Sequence, residues 1–210
     1  MSRAWRSSRF SGCRAGLVVA AVGFIGAAGC GSADRSVPSQ APPGELLAQA
    51  RPIGRGPAFQ PPVTGPVLGR CTPGLGSRVG VHIEVFAADR VVLIPSGIGT
   101  KPPLGSLSGR ISSAGCYGRL VTLDPTGLVL VRSGARAVLA DLFRSWGERL
   151  TSRQVGSFSE PGGGQVRVFV DGHRWGGAPD RVPLVRHGEI VVEVGPYVPP
   201  HASYTFPPGT

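Results

Sequence analysis

Apolar and other residues alternate along Val79–Phe86 (VGVHIEVF), which predicts a half-buried β-strand. Ala87–Arg90 turns the chain, Val91–Ile94 reads as a returning partner strand, and Pro95–Gly99 ends it. Gly118–Leu123 and Gly127–Arg132 predict a second strand pair around Asp124-Pro125-Thr126, a good turn sequence. The period then changes. Val138, Leu139, Leu142, Phe143 and Trp146 recur at helical spacing, so 137–146 is expected to be an amphipathic helix stopped by Gly147. A glycine-rich stretch, Pro161–Gly164, precedes a strand at Gln165–Val170, and Asp171-Gly172 is the strongest short hairpin signal in the chain. Glu189–Val194 alternates again, and a proline-rich tail, 197–210, follows.

From Gly118 onward this order is strand, strand, helix, strand, strand. One helix packed across a mixed, twisted sheet is the β-grasp arrangement, so the expected fold is α+β and β-grasp-like. The first hairpin, Val79–Ile94, would then extend the sheet or form a small subdomain. A β-sandwich is the alternative, because most elements are strands; the amphipathic helix argues against it.

The N-terminus does not read as part of that domain. Arg3, Arg6, Arg9 and Arg14 precede an apolar run of small residues, Ala15–Ala28, with no acidic residue before Asp34. A membrane-spanning helix needs roughly 20 residues, and this run is shorter. A basic start, a short apolar stretch and small residues at a cut site form a secretory signal, expected over residues 1–29. Ala27-Ala28-Gly29-Cys30 resembles the lipobox of bacterial lipoproteins, with Ala27 where leucine is usual. That resemblance implies that Cys30 is acylated, becomes the new N-terminus and holds the protein to the membrane outside the cytoplasm. The competing reading is an ordinary signal peptide with an incidental cysteine. Residues 30–70 are rich in Pro and Gly without sustained periodicity, and are expected to be a disordered tether. The folded domain is then expected over 71–196, with the tail beyond it.

Composition narrows the partners. Beyond residue 29 lie 18 of the 22 basic residues and all 12 acidic ones, and Lys101 is the only lysine. The arginines are scattered and no nucleic-acid-binding motif is present, so nucleic acid is not an expected partner. Besides the bilayer reached through Cys30, anionic lipid or a wall polymer is a candidate partner for this basic surface, through salt-dependent attraction. Of the four cysteines, Cys13 leaves with the signal and Cys30 is modified. Cys71 and Cys116 remain as an even pair in an oxidising compartment and are expected to form a disulfide.

Several stretches resemble a family of uncharacterised bacterial exported proteins, often lipoproteins. Its members carry an HxHAH segment, an IPxGIG turn, a cysteine followed by WLHTHD-like and GIIHIES stretches, a helix ending in WG, a VNG hairpin and a late VGPP. This chain keeps Ile94-Pro95-Ser96-Gly97-Ile98-Gly99, then Cys116, Leu120, Thr122, Asp124 and Gly127. It also keeps Leu142–Gly147, Val170-Asp171-Gly172 and Val194-Gly195-Pro196. The likeness runs from Cys71 to about Pro196. The relatives' clustered histidines imply a metal site, since imidazole suits zinc, copper and nickel. Here Arg78, Gly80, Val121, Leu123 and Leu130 stand at those positions, and only His82 matches. The chain therefore reads as a histidine-depleted member without a metal or other cofactor, with His82 and His187 the weak candidates for ligands.

No catalytic constellation assembles. There is no GxSxG elbow, Pro161–Gly164 lacks the phosphate-loop pattern, and Asp141 with Glu148 reads as a solvated helix face. The expectation is a non-catalytic binding or structural module at the cell envelope. A metal-binding or metal-delivery lipoprotein is one alternative. An accessory subunit of a transport or wall-assembly complex is another.

Overall fold

The first predicted strand is the central strand of the main sheet. In the computed structural model, which describes residues 50–160, 162 and 164–210, strand β1 (Arg78–Ala87) pairs with three others. The signal peptide, Cys30 and the tether as far as residue 49 lie outside the described residues. After β1 come β2 (Arg90–Val91), the hairpin β3 (Thr100–Leu107) and β4 (Arg110–Tyr117), then β5 (Leu120–Thr122) and β6 (Leu128–Arg132). Helix α1 (Leu139–Trp146) is followed by the short pair β7 (Gln154–Val155) and β8 (Phe158–Ser159), then by β9 (Arg167–Val170) and β10 (His173–Arg174). A 3₁₀ turn (Pro179–Arg181) leads to β11 (Glu189–Val194).

The main sheet runs β10-β9-β11-β1-β6-β5, with β2 at the end of β1. β1 and β11 pair in parallel at its centre, and every other pairing in it is antiparallel. With α1 crossing between β6 and β9, the architecture is mixed α+β and β-grasp-like. The Val79–Ile94 segment is not an appendage, because β1 occupies the middle of the sheet while β2 adds only a two-residue edge.

α1 forms where the helical period predicts it. Its buried face carries Leu139, Leu142, Phe143 and Trp146, and the Gly147 N–H closes it on the Phe143 carbonyl. These side chains pack on Val81, Ile83 and Val85 of β1 and on Ile190 and Val192 of β11. Asp141 is not solvated as its spacing with Glu148 suggests. It is buried, accepts the Val138 N–H at 3.1 Å and lies 3.4 Å from Arg119.

The opposite face of the sheet is also covered. Val121, Leu128 and Leu130 pack against Tyr204 and Phe206 of the tail and Ile111 of β4. Phe86, Phe169 and Val191 enclose Val198. Residues 197–210 therefore belong to the fold. So do the described residues before Cys71: Val91 exchanges backbone hydrogen bonds with Pro52 and Gly54, and the Trp146 ring N–H donates to the Pro61 carbonyl at 3.2 Å. The expected boundaries at 70 and 196 are corrected for one reason. These segments have no period of their own, but the free edge of β2, the end of α1 and an open sheet face supply their partners.

The disulfide is present. Cys71 and Cys116 are bonded, with their Cα atoms 5.4 Å apart, beside a backbone bridge between Thr72 and Tyr117. It fastens the β3–β4 ribbon, which stands outside the main sheet, to the start of the domain.

Candidate functional site

The parallel register of β1 and β11 sets His82 directly beside Glu189. Alternation turns Val81, Ile83 and Val85 toward α1, and therefore His82 and Glu84 toward the other face. His82 Nδ1 lies 2.7 Å from Glu189 Oε2, and its Nε2–H donates to the Thr126 carbonyl at 3.0 Å. Both side chains are buried, His82 at 7 % exposure and Glu189 at 1 %. Tyr204 lies flat on the imidazole, with ring centroids 3.8 Å apart and planes within 6°. His201 Nδ1 donates to Glu84 Oε2 at 2.7 Å. One donor atom from each of His82, Glu84 and Glu189 lies within 4.8 Å of the other two.

Burial pushes the Glu189 carboxyl above its ordinary range and nearby Glu84 adds to the rise, while the hydrogen bond and charge of His82 and the charge of His201 oppose it. Glu189 Oε1 has no hydrogen-bond partner. A cleft of about 210 Å³ opens beside the cluster, bounded by His82, Glu84, Thr126 and Gly127 and by the apolar side chains of Ile53 and Val91. Gly127 is required here. Its φ is +80°, and a Cβ at this position would stand 2.4 Å from the Ile83 carbonyl oxygen and 3.0 Å from His82 Nε2. A side chain at 127 would push His82 off the Thr126 carbonyl.

The structure separates the two histidines singled out from the sequence. His82 is the centre of the cluster. His187 lies elsewhere, with Nε2 2.6 Å from the Thr210 carbonyl oxygen and its ring on Phe206, where it clasps the tail. His201, read as part of a free tail, joins the cluster, and His173 is exposed on the β9–β10 hairpin. Glu84 and Glu189 carry no signal as site residues in the sequence, because no local pattern links a glutamate 107 residues away to His82.

The positions where the resemblance would place histidines do converge. Val121 pairs with Leu130, and Leu130 with Gly80, on the face that carries His82. That face is apolar at this end and packs against the tail rather than against the helix. Arg78 is buried there and donates to the carbonyls of Leu75, Gly118, Arg119 and Leu130. Burial and the neighbouring Arg132 push its guanidinium down to about 10.

No described helix is long and apolar enough to cross a membrane. No protein-family model, curated protein or solved structure matches the chain.

Proposed function

We propose that the chain is an exported lipoprotein, anchored to the bacterial membrane by acylated Cys30, whose folded domain is a non-catalytic binding module of the cell envelope. The observation that carries the binding role is the buried His82–Glu189 pair beside an open cleft of about 210 Å³. A buried polar group persists only with compensation, and here the His82 side of the pair lines a cleft that a ligand can enter. The Cys71–Cys116 disulfide supports the compartment, since such bonds persist where thiols are not kept reduced. The anchoring reading agrees with a fold whose described N-terminal residues run along the surface before the first strand. The arginine-rich surface would add weak, salt-sensitive attraction to anionic lipid or wall polymer.

Expression in a bacterial host followed by fractionation and intact-mass measurement tests this reading. The wild-type protein is expected in the membrane fraction, resistant to high-salt washing, with acyl groups on Cys30. Cys30→Ser is expected to be released or left unprocessed. A soluble wild-type protein with an unmodified start, or with Cys71 and Cys116 as free thiols, would overturn it.

The metal-binding alternative is favoured by one observation, the convergence of His82, Glu84 and Glu189.

A further inference from the structure

We infer that His82, Glu84 and Glu189 form a site for one divalent transition-metal cation of the zinc type, open to the cleft between β1 and the Thr126–Gly127 turn. The inference deepens the binding role proposed above and names its ligand class. It does not draw on the histidine positions of the resemblance, because two of its three ligands are glutamates.

The geometry starts from the imidazole. Its Nε2–H donates to the Thr126 carbonyl, so Nδ1 carries the lone pair and points at Glu189 Oε2, 2.7 Å away. At that distance the pair shares a proton, and a metal ion on the same two donors would replace that proton and part them. Fixing one ring nitrogen on a backbone carbonyl is how a metal-binding histidine is commonly oriented. Tyr204 holds the ring plane from above. His201 orients Glu84 in the same way, as a positioning residue rather than a ligand.

Two buried glutamates on one strand then separate the readings. Glu189 and Glu193 both lie on β11, both are at most 1 % exposed, and each has one oxygen without a hydrogen-bond partner. Glu193 has a permanent cation, the Arg167 guanidinium, whose Nε donates to it at 3.1 Å. Glu189 has none. Its side-chain neighbours are the His82 imidazole and a second carboxylate, Glu84. Two carboxylates brought together with no fixed cation repel, and a doubly charged ion relieves that repulsion. The unpartnered Glu189 Oε1, with the rest of its carboxylate already in the cluster, is a donor atom in waiting.

Donor type and spacing select the ion. One imidazole and two carboxylates suit zinc and its neighbours, whereas calcium takes about 6–8 oxygens. Around a tetrahedral ion at about 2.1 Å, donors stand roughly 3.4 Å apart. The donors here lie within 4.8 Å of one another, with His82 Nδ1 and Glu189 Oε2 at 2.7 Å, so they bracket that spacing: the close pair would part slightly and Glu84 would swing in. Three protein ligands leave a fourth position open, as in open zinc sites, and two of the three, His82 and Glu84, line the cleft.

Calorimetric titration of the intact, untagged chain with Zn²⁺ at neutral pH tests the inference. One ion per chain is expected, with a Kd tighter than about 10 μM. Glu84→Gln should weaken binding at least tenfold, and His82→Gln and Glu189→Gln should abolish it. His187→Gln should leave it unchanged, and millimolar Ca²⁺ should not compete. X-ray absorption of the zinc-loaded chain should show nitrogen and oxygen donors only. A Kd weaker than about 10 μM, wild-type affinity in Glu84→Gln, or a sulfur donor would overturn the site. Glu84 is partly exposed, so its variant keeps the test decisive even if Glu189→Gln does not fold. Failure here would leave the membrane-anchoring result untouched, so the two proposals fail separately.

Discussion

Removing the Cys71–Cys116 disulfide should lower the melting temperature by about 10 °C while leaving the native structure in place. The bond closes a loop spanning 45 residues, which contains β1 through most of β4. In a chain-entropy account, a loop of that length restricts the unfolded ensemble by about 4 kcal/mol. The described part of the chain is on the order of 160 residues, so its unfolding entropy near the midpoint is about 0.34 kcal/mol/K. The quotient is roughly 12 °C, an upper value because real unfolded chains keep some structure. The native side of the balance is held by other bonds. Thr72 and Tyr117 exchange two backbone hydrogen bonds at 3.0 and 2.8 Å, and Arg132 donates to Arg70, Thr72, Tyr117 and Gly118 around the same junction. The double variant Cys71→Ala/Cys116→Ala avoids a stray thiol. Calorimetric melting gives the shift, and hydrogen exchange reports the β3–β4 amides. A shift under about 3 °C, or loss of protection at Tyr117 well below the transition, would refute the claim that the bond acts on the unfolded chain.

Other perturbations test separate parts of the structure. Gly99→Ala should destabilise by more than about 3 kcal/mol, because φ is +70° and a Cβ would lie 1.9 Å from the Leu120 carbonyl oxygen. Gly134→Ala, at φ +77° with nothing within 4 Å, should cost only about 1 kcal/mol in chemical denaturation, and equal costs would contradict the packing. Gly80→Val should displace the tail, since a Cβ there would meet Phe206 at 3.1 Å and Thr210 at 3.0 Å. Limited proteolysis should then cut 199–210 faster than in wild type, and unchanged cleavage would show that the tail does not rest on β1. Glu193, facing Arg167 and Arg174, has its carboxyl raised above 4.5 chiefly by burial. The folded state therefore holds that proton more tightly than the unfolded chain, and this contribution to stability is present below about pH 4.5 and lost as pH rises through the folded pKa. Thermal melts of Glu193→Gln should show a flatter pH dependence than wild type above pH 4.5, and parallel curves would refute the assignment.

Local signals predicted what is local. The helical period of Val138–Trp146, the Asp171-Gly172 turn and the Asp124-Pro125-Thr126 turn each specify a structure within a few residues, and each is found. The Ile94–Gly99 motif is explained by its surroundings: the Gly97 N–H donates to the Thr122 carbonyl and the Ile98 N–H to Thr122 Oγ1, which itself donates to the Pro95 carbonyl. What the sequence did not disclose is non-local. A parallel pairing of β1 with β11 has no turn to announce it. The β3–β4 ribbon lacks alternation because it is exposed on both faces over most of its length and contains Pro102 and Pro103. Glu189–Val194 alternates as if half-solvated, yet all six residues are buried. Alternation reports chemistry along a strand, and burial depends on what covers the second face.

That covering layer also explains why the candidate site was hidden. A strand at the centre of a sheet with a helix on one side leaves its other side open to solvent, where Glu84, Glu189 and Glu193 would be unremarkable. The tail changes their status. It brings Val198 into an apolar pocket, lays Tyr204 on His82 and sets His201 against Glu84. Three ordinary surface carboxylates thereby become partly or wholly buried groups that need compensation. Glu193 receives it from Arg167 on the adjacent strand. Glu189 is hydrogen-bonded by His82, with one oxygen left over. An apolar residue at 189 would have packed against Val191 and the tail at no electrostatic cost. Keeping a carboxylate there, turned toward an imidazole whose far nitrogen is already fixed, is the feature of this fold that packing alone does not explain and on which the proposed cation site rests.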